Sequence, residues 1–321
     1  MIRLTLMNHE NEQRTSVLDL PATEQRMQEV QKELDAPEWF DAQFTGCDAI
    51  APQLNTLLTD RELPGAAAAL RKASAMGVDA VLVQDWGLLT LAKEIVPDLP
   101  LHASTQMSLF TLGGANAAAA LGMERVVLAR ELDRDEVREI CAGCGAEIEV
   151  FGHGALCMCY SGQCEMSAVL GQRSGNRGAC AQPCRYQYAL MEEKRPGEYF
   201  PVFEDEKGTY ILNSRDMCMI DHLSDLMDAG VDCIKIEGRA KSAYYAAIVT
   251  GAYRHCIDDA AAGRVLDPVW RDEVDHISHR IYSTGFYYGE PGQYVASSRY
   301  IREWQIVAKV ESCDENGLAV C

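Results

Sequence analysis

Four cysteines, Cys157, Cys164, Cys180 and Cys184, fall within 28 residues of a segment rich in glycine and arginine and poor in apolar periodicity. Thiolates in such a pattern are metal ligands or redox groups before they are core residues. A stretch this long without regular structure needs something to hold it, because loops beyond about 12–15 residues are usually functional or disordered. Thiolates gathered around a metal would hold it.

The chain has 13 cysteines in 321 residues. Its start, MIRLTLMNHENEQRTS, has one short apolar run and no h-region of an export signal. Clustered cysteines are therefore expected to sit in a reducing compartment, where metal binding outweighs disulfide formation. No apolar run approaches the roughly 20 residues needed to span a bilayer. The expectation is a soluble cytoplasmic protein with no membrane partner. A net charge of −19 and a pI near 4.8 argue against broad attraction to nucleic acid or anionic lipid. They leave room for a local basic site, since Arg173, Arg177, Arg185, Lys194 and Arg195 surround the cysteine segment. The plain alternative is a solvated loop.

The elements that would position these groups alternate from about residue 50. Short apolar runs predict strands at Ala51–Asn55, Ala80–Gln84, Leu99–Ser104, Arg125–Arg130, Glu147–Gly152 and Cys233–Glu237. Amphipathic helices lie between them at intervals of roughly 20–25 residues, the cadence of βα units. Asp133 with Glu136 predicts a capping box, and Ser242–Gly263 predicts the longest helix, with Tyr245, Ile248, Val249, Ala252 and Cys256 on one stripe. Cys141 and Cys144 form a C-x-x-C match, read as core because both sulfurs share the buried face of a helix.

Polar residues end each apolar run: Asn55, Gln84-Asp85, His102 with Ser104-Thr105-Gln106, Arg130-Glu131, His153 and Glu237-Gly238-Arg239. Each has a dull explanation alone, such as a satisfied core histidine or a local ion pair. In a closed parallel barrel, however, the carboxyl ends of all strands share one rim that carries the active site. The expected fold is an α/β, TIM-like (β/α) barrel over residues 51–265, with the cysteine loop at 154–197 leaving the same rim. An open doubly wound sheet is the runner-up. Residues 1–50 form an atypical N-terminal segment with a strand at Ile2–Leu6 and a helix at Ala22–Leu34. Residues 266–321 carry a linker helix at Pro268–Arg280 and a small β domain, whose Asn316-Gly317 hairpin signal stands so near Cys321 that the domain reads as truncated.

Glu149, Phe151, Gly154-Ala155-Leu156-Cys157, Gly162, Cys164, Met166 and Ser167 match a known signature: the chain closely resembles the collagenase-like peptidase family U32. Further matching text includes Asn55–Leu58, Val83–Asp85, His102–Gln106, Asn176-Arg177-Gly178, Cys180, Pro183-Cys184-Arg185, Asn213–Asp216 and Lys235–Arg239 with Lys241-Ser242, so the likeness covers roughly residues 53–312. The N-terminus lacks the family's usual opening strand and Ala-Pro-Ala-Gly turn. One or two barrel units are thus missing or replaced. The family name implies peptide hydrolysis. Better-understood relatives serve hydroxylation of a tRNA wobble uridine or of a ribosomal RNA cytidine, and others support ubiquinone hydroxylation.

In the ubiquinone group four cysteines hold a four-iron four-sulfur (4Fe-4S) cluster. The resemblance places three of them at Cys157, Cys164 and Cys180, with Cys184 or Cys218 as the fourth and Cys159 turned away. Zinc on the same thiolates is the rival, although six residues between the first two cysteines fit its usual C-x2–4-C spacing poorly. Neither H-E-x-x-H nor G-x-S-x-G occurs, and Gly152-His153-Gly154 only begins a glycine-rich nucleotide match. The functional expectation is therefore an enzyme, or a subunit of one working with a protein partner, that hydroxylates an RNA base, with prephenate as the small-molecule donor implied by the likeness. Its competitors are a peptidase and a noncatalytic binding protein. Arg173, Arg177, Arg185 and Arg239 would meet phosphates or an acidic donor. Asp85, His102, Gln106 and Arg130 would complete the substrate rim, and His153 and Glu237 would handle protons.

Overall fold

The computed structural model describes residues 2–8, 15–20, 42–47, 54–185, 189–191, 199–201, 215–238, 241–292, 300–304, 312–313 and 319–320. The predicted helix over 22–34 and most of the predicted strand Ala51–Asn55 lie outside them, and Leu54 and Asn55 fall in a turn. At the N-terminus β1 (Ile2–Asn8), β2 (Thr15–Leu20) and β3 (Ala42–Cys47) form an antiparallel sheet in the order β2-β1-β3.

The main sheet starts with β4 (Val81–Val83), β5 (Leu101–Ala103), β6 (Arg125–Val127) and β7 (Glu147–Ala155), each parallel to the one before. The hairpin of β8 (Ala189–Met191) and β9 (Tyr199–Pro201) then stands apart. β10 (Asp216–Cys218) joins the main sheet antiparallel to the end of β7, and β11 (Cys233–Ile236) joins it parallel to the middle of β7. β12 (Tyr282–Ser283) extends it beside β10, so the main sheet runs beyond residue 265. β13 (Ser312–Cys313) and β14 (Ala319–Val320) pair antiparallel on either side of the Asn316-Gly317 signal.

This is a mixed α/β fold with a largely parallel sheet. Of the expected TIM-like, incomplete barrel, the α/β units and parallel sheet are present, and among the described residues the sheet is not closed, with β4 at one end paired to β5 and joined to neither β11 nor β12. The expected consequence of a barrel nevertheless holds locally, because Asn55 and Glu237 line one cavity.

Eight helices are described: α1 (Leu63–Ala75), α2 (Trp86–Ile95), α3 (Leu112–Ala120), α4 (Arg134–Gly143), α5 (Met166–Gly171), α6 (Leu223–Asp228), α7 (Ala243–Ala261) and α8 (Pro268–His276). Their starts obey local chemistry. Asp133 accepts from the backbone N–H of Glu136 at 2.9 Å while Glu136 accepts from that of Asp133, completing the capping box. Ser242 caps α7, which buries Tyr245, Val249, Ala252, Tyr253 and Cys256. Cys141 packs against the core and burial pushes its thiol up to about 11, the reverse of a reactive pair. No described helix is long and apolar enough to cross a membrane.

β7 is the hub. Ile148 and Val150 enter the core, and Gly152 is required where a side chain would stand 2.4 Å from Ile234 Cγ2. A register shift follows, with Lys235 opposite Phe151 but Ile236 opposite His153. This irregularity sends the end of the strand off line and into the cysteine segment.

Candidate functional site

A cavity of about 260 Å³ lies at the carboxyl ends of the parallel strands. Its floor includes Leu82, Phe151 and Lys235 from the strands, with Gln106, Arg130 and Glu237 just beyond them. Its other wall is the cysteine loop, which brings Cys157, Cys159, Cys164, Cys180 and Cys184 to the same space. All five are reduced thiols. Cys159 is pushed up to about 12 by burial and then by the neighbouring Cys164, Cys157 and Cys184. Neighbouring thiols oppose the ionisation of Cys159, an environment that a cation would relieve. Among the described residues, no three such side chains close tightly enough to hold a single metal ion.

The loop is less irregular than its sequence implied. It contains α5 and two short 3-10 turns, Gly175–Arg177 and Pro183–Arg185. Ser167 at the start of α5 is fully buried; its hydroxyl accepts from the Ala181 N–H at 2.8 Å, which fixes the position of Cys180. The Gln182 N–H donates to Cys180 Sγ at 3.3 Å. At the other end, Ser161 N–H donates to Glu131 at 2.9 Å and the Ser108 hydroxyl donates to the Ser161 carbonyl at 2.5 Å. Gly162 packs so tightly on Gln106 that a Cβ would lie 2.2 Å from the Gln106 carbonyl oxygen. Gly154, with φ of 123°, allows a similar approach to Glu237.

Charge reaches the floor as a ladder across the sheet. Arg125 pairs with Glu147 at 2.7 Å and with Glu149 at 3.4 Å, and Lys235 pairs with Glu149 at 2.9 Å. Burial alone would raise the Glu149 carboxyl; Lys235 and Arg125 overcome this and hold it below its ordinary value. Lys235 and Arg130 also approach the Phe151 ring, at 5.9 and 5.0 Å. Arg130 Nη2 donates to Cys157 Sγ at 3.1 Å.

Several predicted site residues prove to brace the structure. Asp85 is the N-cap of α2, accepting from Leu88 N–H at 2.9 Å and Leu58 N–H at 3.2 Å. Arg173 donates to the Ala179 carbonyl at 3.0 Å, and Arg177 pairs with Glu62 and the Leu57 carbonyl. His102 is half-buried on β5, outside the cavity lining, with its pKa lowered by burial and by Arg125. His153 is 1% exposed and faces Tyr245, Tyr253 and Tyr282 instead of the cavity. Burial, with help from Lys241, His279 and Arg271, lowers its pKa to about 3. Cys218 is buried beside the Tyr253 hydroxyl and is absent from the cavity lining, which Cys184 joins. The side chain of Arg185 and all of Arg239 lie outside the described residues.

Gln106, Arg130, Glu237 and the four cysteines are thus brought together, and the sequence reading missed Lys235, Phe151 and Tyr160. Lys235 had a signal: in Cys233-Ile234-Lys235-Ile236 a lysine between two isoleucines marks a polar strand face. Tyr160 is 64% exposed at the cavity edge, braced edge-to-face by Phe110 at 5.6 Å.

Comparisons with known proteins agree on one family. The tRNA hydroxylation protein P of Escherichia coli is 38% identical over 251 residues, covering 66% of this chain and 55% of that protein. A 23S rRNA 5-hydroxycytidine synthase of the same organism is 42% identical over 205 residues, covering 64% and 30%. An uncharacterised protease of Methanocaldococcus jannaschii is 37% identical over 241 residues, covering 73% and 58%. The chain therefore spans about half the length of the tRNA hydroxylation protein it matches. A solved U32 peptidase structure overlaps with a TM-score of 0.32 at 18% identity, covering 56% of this chain and 62% of that one, too slight for comparing architecture. The model of Peptidase family U32 matches residues 48–297, and the chain belongs to that family.

Proposed function

We propose that this chain is the cluster-bearing part of an enzyme that hydroxylates a base in tRNA or ribosomal RNA. The observation that carries the reading is the convergence of Cys157, Cys164, Cys180 and Cys184 on one cavity whose floor holds Arg130, Lys235 and Glu237. The thiolate donor set and the N–H donors to sulfur from Arg130 and Gln182 fit an iron–sulfur cluster. A 4Fe-4S cluster held there, when bound, supplies one-electron chemistry that no side chain provides. Zinc on the same thiolates is the rival, although among the described residues no three of them close tightly enough to hold a single ion.

The residues around it have separate tasks. Lys235 and Arg130 place positive charge on the floor, suited to an anionic donor such as prephenate. Glu237 lines the cavity and is the carboxylate assigned to proton handling. Tyr160 offers a ring at the rim for stacking on an unpaired base. The acidic balance of the chain means that RNA affinity comes from a local patch or a partner subunit. Strand ends that meet around one mouth favour a barrel-like arrangement of the βα units. Among the described residues no histidine lines the cavity to activate a peptidase nucleophile.

Nucleoside mass spectrometry of tRNA and ribosomal RNA from a deletion strain tests the proposal. A hydroxylated nucleoside should vanish and return with the wild-type gene but not with Cys157→Ala. An unchanged profile, together with gelatin cleavage that survives Cys157→Ala, would favour the peptidase. Colourless protein with stoichiometric zinc after anaerobic purification would rule out the cluster.

A further inference from the structure

We infer that Arg130 is a positioning residue for the cluster site, holding the Cys157 sulfur and raising the reduction potential of whatever those thiolates bind. This rests on the cluster reading above. The guanidinium is gripped on every edge. Nε donates to the Ser161 hydroxyl at 3.3 Å, Nη1 to the Ala155 carbonyl at 3.3 Å and Nη2 to Cys157 Sγ at 3.1 Å. Its Cζ lies over the Phe151 ring, 5.0 Å from the ring centre. Ser161 is itself 1% exposed and tied to Glu131 through both its N–H and its hydroxyl.

A planar fork of five donors can serve three acceptors at fixed angles, which the single ammonium of lysine cannot do. The arrangement therefore ties the loop after β6 to the backbone just before the first cysteine and to its sulfur. It also fixes a positive charge beside that sulfur in a partly dry cavity. Hydrogen bonds to sulfur and nearby positive charge both favour the more reduced state of an iron–sulfur centre. The sequence reading placed Arg130 among the substrate contacts; its hydrogen bonds add a hold on the first cysteine.

The test is a redox titration of anaerobically purified protein, followed by visible absorption and electron paramagnetic resonance, with iron and sulfide measured in parallel. Arg130→Gln is expected to keep its iron and sulfide while its midpoint moves to lower potential. At the wild-type midpoint, the reduced-to-oxidised ratio should fall about tenfold, equivalent to ~59 mV for one electron. Arg130→Lys, which keeps the charge and loses the fork, should shift the same way by less. Wild-type titration behaviour in Arg130→Gln would overturn the inference. Should Arg130→Gln not yield folded protein by circular dichroism, Arg130→Lys decides alone: a smaller negative shift supports the inference and an unchanged midpoint overturns it. Wild-type protein without iron would instead refute the cluster reading, a result that the wild-type sample reports before any variant is compared.

Discussion

Replacing Gly162 by alanine should be among the most damaging single-methyl changes in this protein. Its φ of 81° lies where a side chain costs roughly 1–2 kcal/mol. The added Cβ would also stand 2.2 Å from the Gln106 oxygen, 2.8 Å from its carbonyl carbon and 3.0 Å from its Cα. Neither partner can yield cheaply. Gln106 N–H is held by the Ser104 hydroxyl at 3.1 Å, and the adjacent Thr105 hydroxyl donates to the Leu128 carbonyl at 2.9 Å. The turn bearing Gly162 is held by Glu131 and Ser108. Overpacking of this kind typically costs about 1–3 kcal/mol, giving a total of about 2–5 kcal/mol. Gly65→Ala is the matched control, because nothing lies within 4 Å of its Cβ and it sits in the first turn of α1. That change should be neutral or stabilising by roughly 0.5–1 kcal/mol. Urea unfolding followed by circular dichroism measures both, and the difference in midpoint at constant slope gives the free energy. Gly162→Ala unfolding within about 0.5 kcal/mol of Gly65→Ala would refute the claim that this turn is locked against Gln106.

Asp133→Ala removes the cap of α4 and should cost about 1 kcal/mol, read as a lower thermal midpoint. Tyr253→Phe deletes a hydroxyl that donates to the Gly152 carbonyl at 2.7 Å and accepts from Met219 N–H at 2.9 Å; these two groups keep their own hydrogen bond at 2.9 Å, so the loss should cost about 0.5–1.5 kcal/mol in urea unfolding. His153 has a folded pKa of about 3 against an ordinary 6.5, so the unfolded chain binds its proton first as pH falls. Stability from this residue is full above about pH 6.5 and declines below it, by about 2 kcal/mol between pH 7 and pH 5. His153→Asn should abolish that share of the decline, and an unchanged pH dependence would contradict its burial as a neutral ring.

Where local chemistry decides, the sequence was readable. The Asp133 capping box, the Ser242 start of α7 and the strands β4 to β7 and β11 follow from side-chain periodicity and hydrogen-bonding types over a few residues. The four cysteines singled out from their spacing line one cavity. What sequence could not convey was placement by distant partners. β10 is three residues long, too short for any periodic signal, and exists because His153, Gly154 and Ala155 offer it an edge. The irregularity in β7 turns His153 away from the rim that its position at a strand end predicted. Asp85 and Arg177 read as exposed functional polars because their partners, Leu58 N–H and Glu62, belong to segments brought close only by folding. Sheet closure likewise depends on strands whose partners lie far away in the chain, and no local pattern fixes it.

The three-way pairing of β7 also sets a timetable for making the protein. Lys235 and Glu237, which complete the cavity floor, are encoded about 80 residues after Cys157. At about 5–20 residues per second, the thiols leave the ribosome some 4–16 s before the surface that encloses them. β10 follows Cys157 by about 60 residues to pin the end of β7, and β11 with Lys235 arrives about 20 residues later to complete the floor. A cluster held by these thiols would meet its complete cavity only once β11 has emerged. A cell short of reductant during that window would lose the site to thiol oxidation before the fold could shelter it.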